Sequence, residues 1–112
     1  MSPTGKRVYI AGPYTKGDVA VNVRNAIAAA DTLLAAGHWP FVPHLTHFWH
    51  LIYPRDWHDW IALDERWLLC CEAVVRLPGD SKGADHEVRL AKNYGIPVFD
   101  TVEVFVGWAR SG

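Results

Sequence analysis

The sequence predicts an α/β domain, a three-layer sandwich with helices on both faces of a mainly parallel sheet of four to five strands. Three observations predict it. Short apolar runs that read as buried strands recur along the chain. Longer segments with helical spacing separate them. The links between the two kinds of segment are short, and glycine or proline marks many of the boundaries.

Residues 7–12 (RVYIAG) form the first apolar run, which ends at Gly12-Pro13 and reads as a buried strand. Residues 18–36 are alanine-rich with apolar positions at helical spacing, and Gly37 is the stop signal. Residues 39–42 give a second strand, interrupted by Pro40. Residues 43–55 show no clear period and are dense in histidine and aromatic side chains, which suggests a loop with one helical turn. Residues 56–71 are helical, with Trp57, Trp60, Ile61, Asp64, Trp67 and Leu68 near one face. Residues 73–77 are a third strand, closed by Pro78-Gly79. A helix over 83–94 ends at Gly95, and 96–99 is a fourth strand. Residues 101–110 fit either a last helix or an extra strand. Alternation of this kind implies parallel strands joined by right-handed crossovers, the doubly wound Rossmann or flavodoxin-like arrangement.

The 112 residues correspond to one domain spanning 1–112. A chain this short buries only roughly two-thirds of its unfolded surface, so a homodimer or higher homo-oligomer is expected. The net charge is −1 and no basic run or stripe appears, which argues against a nucleic-acid polymer as partner. A small nucleotide needs only a few donors and stays open. Cys70 and Cys71 are adjacent within an apolar run and read as reduced core residues of a cytoplasmic protein. Residues 1–6 lack the apolar stretch of a signal peptide, and no segment is apolar enough to span a bilayer, so no membrane partner is expected.

Open α/β sheets bind ligands beyond the carboxyl ends of their strands. The loops 12–17, 43–55 and 78–85 should therefore meet at one cleft. The stretch 78–87 (PGDSKGADHE) is a glycine-bearing turn running into a helix N-terminus, where free N–H groups favour an anion. Glu87 falls in the first turn of that helix. It serves either as a helix-terminal acid or as a carboxylate directed into the cleft. Asp64 lies on a largely apolar helix face. It is either an edge residue beside Glu65 and Arg66 or a desolvated proton donor. Tyr9 is mid-strand, a core aromatic or a cleft residue. Gly12 permits close approach of a ligand to the backbone. Neither G-x-G-x-x-G nor G-K-[ST] occurs, so dinucleotide and magnesium-triphosphate sites are disfavoured. His44, His47 and His50 recur every third residue, with His58 beyond. Such imidazoles are one way to hold zinc, but H-E-x-x-H is missing and the cysteines lie elsewhere; no metal or organic cofactor is expected. The alternative is a polar and aromatic loop over a substrate, with His44, His47 and Trp49 facing it. Phe48, Trp49 and Tyr53 suit stacking on a nucleobase or packing at a subunit interface.

Taken together, these segments resemble the nucleoside 2-deoxyribosyltransferase superfamily, which includes 2′-deoxynucleoside 5′-phosphate N-hydrolases and CMP N-glycosidases. The resemblance runs from Arg7 to about Phe99. VYIAGPY is similar to the family's opening motif and puts Tyr9 at the active-site tyrosine, with Gly12, Pro13 and Tyr14 beside the substrate. ALDERWLLCCEAVVRLP resembles the segment in which an aspartate, here Asp64, precedes an apolar strand. Ser81, Gly83 and Glu87 match the S-x-G-x-x-x-E loop of the N-hydrolases. PHLTHFWHLIYPRD and LPGDSKGADHE also resemble uncharacterised bacterial and phage members. The sequence departs from the hydrolases at Pro13 and Thr15, where they carry phosphate-holding Ser and Arg, and at Asp85, where they have a small residue.

The resemblance implies cleavage or transfer at the N-glycosidic bond of a nucleoside or nucleoside 5′-monophosphate. Glu87 would be the nucleophile, Asp64 the proton donor and Tyr9 the residue that orients Glu87. Ser81 and the N–H groups near Gly83 would hold the 5′ end, and Asp85 would influence sugar or phosphate selection. Two other readings stand beside it: a non-catalytic nucleotide sensor using the same cleft, and a metal-dependent hydrolase built on the four histidines.

Overall fold

The computed structural model describes residues 5–111, so most of the N-terminal segment 1–6 lies outside the described residues. Four parallel strands form one sheet: β1 (Arg7–Ala11), β2 (Trp39–Phe41), β3 (Ala73–Arg76) and β4 (Val98–Phe99), in the order β2-β1-β3-β4. Five helices accompany them: α1 (Val19–Ala35), α2 (Thr46–Ile52), α3 (Trp57–Leu68), α4 (Lys82–Asn93) and α5 (Val102–Ser111). The expected fold class is therefore observed, with four strands and residues 102–111 as a helix rather than a strand.

The central strands are apolar throughout because both their faces are covered. Val8 and Ile10 of β1, with Ala73 and Val75 of β3, pack against Ala26, Ala29 and Leu33 of α1 and Phe105 of α5. Tyr9, Ala11 and Val74 point the other way, onto Leu68 of α3 and Ala84 and Ala91 of α4. The period-2 alternation of a strand thus directs Tyr9 into the layer that carries Asp64 and Glu87.

Polar side chains cap the helices near the cleft. Asp18 accepts from the Val21 N–H at 3.1 Å, Asp56 from the His58 N–H at 2.8 Å and Ser81 from the Ala84 N–H at 3.1 Å. With Ser81 as cap, Glu87 lies in the second turn of α4, one turn deeper than the sequence suggested, and Asp85 takes the first-turn position.

Residues 43–55 hold more structure than expected. A 3₁₀ turn over Pro43–Leu45 leads into the two-turn helix α2. None of the α2 residues is buried, so the segment has no core-facing stripe for periodicity to reveal. The cysteine expectation also needs correction. Cys70 is exposed and Cys71 half-buried, because the chain turns at the surface between α3 and β3; both are free thiols. Among the described residues no helix is long and apolar enough to cross a membrane.

Candidate active site

The loops after β1, β2 and β3 meet, as the strand-end rule requires, around a cavity of about 650 Å³. Its wall includes Gly12 and Tyr14 from the first loop, Pro43 and His44 from the second, and Ser81 from the third, with Gly83 in the first turn of α4. Asp64 and Glu87 line it from α3 and α4. The first and third loops lie very close together. Gly79 has φ +117°, and a β-carbon there would sit 2.7 Å from Pro13 Cγ, so only glycine fits without a shift. At Gly12 a β-carbon would meet Leu77 Cβ at 3.0 Å, so the missing side chain makes room for packing as well as for a ligand.

Glu87 is only 7% exposed, and its Oε2 accepts a hydrogen bond from the Tyr9 hydroxyl. Tyr9 is fully buried and held by stacking: its ring lies 5.7 Å from Phe41, which stacks in turn at 5.5 Å on Trp67. Burial pushes the Glu87 carboxyl up to about 7, and the charge of Asp64 adds to the rise, while the Tyr9 hydroxyl, His86 and Arg76 oppose it. Burial alone pushes Asp64 up to about 7. Its Oδ1 is buried without a partner among the described residues. The Tyr9 phenol is driven far above its ordinary value by burial, then by Glu87 and Asp64, so it remains a donor throughout the working pH range. Of the two carboxyls, Glu87 has the hydrogen bond that stabilises an anion, and among the described residues Asp64 has none. The Tyr9 hydrogen bond thus favours an anion on Glu87 over one on Asp64.

The other expected site residues divide into two groups. His44 is 4% exposed; its Nε2–H donates to the Pro13 carbonyl at 2.9 Å, and its Nδ1 is buried without a partner among the described residues. Burial holds its pKa below the ordinary imidazole value, keeping the ring neutral. Tyr14, Ser81 and Gly83 line the cavity. His47 stands behind that wall, 2.6 Å from the Tyr14 hydroxyl, and Pro13 contributes its carbonyl to His44. Asp85 and Trp49 are not among the lining residues. Asp85 pairs with Arg76 at 3.0 Å, and Trp49 packs edge-on against Trp60 at 5.1 Å and is half exposed. The four histidines have separate partners: His44 with Pro13, His47 with Tyr14, His50 with Trp60, and His58 with Asp56 at 2.8 Å. Among the described residues no group of three ligating side chains converges, so the histidine-cluster reading has no donor set.

Several lining residues went unnoticed in the sequence reading of the site. Trp57, Trp60 and Ile61 join Asp64 on one stripe of α3, while His50, Arg55, Lys16 and Asp80 complete the mouth. The 57-60-61-64 spacing was visible as an apolar face; the spacing of His50 marked it only as one of four histidines that could hold a metal, and nothing in the sequence marked Arg55. The cationic groups are largely committed already. Lys16 pairs with Asp80, and Arg55 Nε lies 3.1 Å from Asp59.

A solved 2-deoxyribosyltransferase from Bacillus psychrosaccharolyticus, described as a biocatalyst for nucleoside synthesis, has a similar fold. It superposes with a TM-score of 0.62 at 19% identity, over 82% of this chain and 69% of that chain. No curated protein matches the sequence. A family model described as a domain of unknown function, DUF7768, matches residues 6–101, and the chain belongs to that family.

Proposed function

We propose that this protein cleaves or exchanges the N-glycosidic bond of a nucleoside or nucleoside 5′-monophosphate through a covalent glycosyl–Glu87 intermediate. One observation carries the reading: a buried carboxylate held by a tyrosine hydroxyl shares a nucleoside-sized cavity with a second, unpartnered carboxyl. The fold likeness to a 2-deoxyribosyltransferase supports the same chemistry.

A Glu87 oxygen bonds to C1′ as the C1′–N bond breaks, and the electron pair of that bond stays on the base. The base takes the Asp64 proton, directly or through water. Tyr9 holds the Glu87 carboxylate in line. In the second step the oxygen of water, or the nitrogen of a second base, bonds to C1′, and the C1′–Oε bond breaks. Its proton passes to Asp64, and both carboxyls return to their starting states. Ser81 and the N–H groups near Gly83 hold the 5′ end. These steps call on no group beyond the side chains named.

The test is incubation with a panel of nucleosides and monophosphates, with and without a second free base, followed by chromatography of the bases. Base release lost in Glu87→Ala, with the fold intact, is the expected result. Binding without turnover across the panel would favour the sensor reading instead. We also propose that the chain works as a homo-oligomer. Leu51, Ile52 and Tyr53, all at least 65% exposed, supply apolar surface for it. The two free thiols support a reducing, cytoplasmic setting.

A further inference from the structure

We infer that His50 is a fixed hydrogen-bond donor that selects bases bearing a keto oxygen on the edge remote from the glycosidic nitrogen. The inference rests on reading the cavity as a nucleoside site.

His50 lines the cavity from α2, and its Nδ1 receives two N–H groups: the Trp60 indole at 2.9 Å and the Arg55 backbone at 3.2 Å. Both of these groups are donors only. Nδ1 is therefore the acceptor, and the ring hydrogen sits on Nε2. Among the described residues no partner engages that Nε2–H. His44 is the same tautomer, but its Nε2–H is committed to the Pro13 carbonyl, so the two cavity histidines are not interchangeable.

Trp60 and Asp64 are four residues apart on one face of α3, a rise of about 6 Å. A base whose glycosidic nitrogen lies by Glu87 and Asp64 extends along that face toward Trp60. Its far edge then reaches the ring that Trp60 holds. A keto oxygen there accepts from Nε2–H, whereas an exocyclic amine presents a donor to a donor and leaves both unpaired. As the C1′–N bond breaks, its electron pair delocalises onto the keto oxygen, and the hydrogen bond strengthens in the transition state. The hydrogen stays on Nε2 throughout; Asp64 remains the proton source.

The experiment measures binding of free uracil, cytosine, hypoxanthine and adenine to the whole chain by tryptophan fluorescence, since Trp57 and Trp60 line the cavity. The wild type should bind uracil over cytosine, or hypoxanthine over adenine, by about tenfold. His50→Asn keeps an acceptor where Nδ1 stands but deletes the distal donor. It should reduce the preference to within about twofold. His50→Gln, which offers an N–H at the distal position, should restore most of it. Equal or better binding of the amino bases by the wild type would overturn the inference. So would a preference that survives His50→Asn, or no base binding at all. Nucleoside cleavage is followed on the same samples. A His50-dependent preference without cleavage upholds this inference and removes the glycosidic one; cleavage without that preference does the reverse.

Discussion

Replacing Asp64 with asparagine removes an ionisable group that the fold keeps away from water, and the consequence is a stability change that depends on pH. In the folded chain burial raises the Asp64 carboxyl from 3.8 to about 7. In the unfolded chain it titrates near its ordinary value. Between the two values the folded state holds a proton that the unfolded state has released, so stability falls as pH rises through that window. Below it both states are protonated and nothing is lost; above it the full cost of a buried anion applies. That difference corresponds to about 4 kcal/mol at full desolvation, and about 2–4 kcal/mol when water reaches part of the carboxyl. Asp64→Asn carries no such cost. Its stability relative to wild type should therefore increase by about 2–4 kcal/mol between about pH 4 and about pH 8. Any packing penalty of the amide is the same at both pH values and cancels in the comparison. Urea unfolding followed by tryptophan fluorescence at the two pH values measures it. A relative stability that is flat with pH, or that declines toward pH 8, would refute the claim that Asp64 is desolvated and unpaired.

Other consequences follow from neighbouring contacts. Tyr9→Phe removes the hydroxyl that favours the Glu87 anion, so the acid limb of the kcat/KM profile should move up from near pH 7 and kcat should fall by about 10- to 100-fold; an unmoved limb would detach Tyr9 from Glu87. Asp80→Asn frees Lys16 and removes an anion from the mouth, so monophosphates should gain about two- to fivefold in kcat/KM over the matching nucleosides at low salt, an advantage that high salt erodes; an unchanged ratio would place the 5′ end elsewhere. Gly79→Ala adds a β-carbon against Pro13 at positive φ and should destabilise the chain by about 1–3 kcal/mol in urea titration, while wild-type stability would mean the two loops part easily.

The sheet and its helices were legible because the central strands are apolar from end to end and the helices carry clear caps. Residues 7–11 and 73–76 could hardly be read otherwise. The meeting of three loops at one cleft followed from the strand-end rule alone. Asp64 was legible as an acid on the stripe of Trp60, Ile61 and Trp67. Three features were not. Helix α2 buries nothing, so its sequence has no period to detect. Cys70 and Cys71 sit in an apolar run that ends in a surface turn, which composition does not distinguish from a core strand. Asp85 and Trp49 looked substrate-facing because of their neighbours in sequence, but Arg76 and Trp60 hold them. Those partners are distant in sequence or on another element, and no local pattern encodes such pairs. His50 is the same case in reverse: its role depends on an indole ten residues away.

The central claim is that Glu87 becomes covalently attached to the sugar. Incubation with a 2-fluoro nucleoside, which slows breakdown of the glycosyl ester, followed by intact mass and peptide mapping, tests it directly. One added glycosyl mass on the peptide containing Glu87, and none on Glu87→Gln, is the expected outcome. A glycosyl group mapped to any other residue, or base release by Glu87→Gln at the wild-type rate, would contradict it.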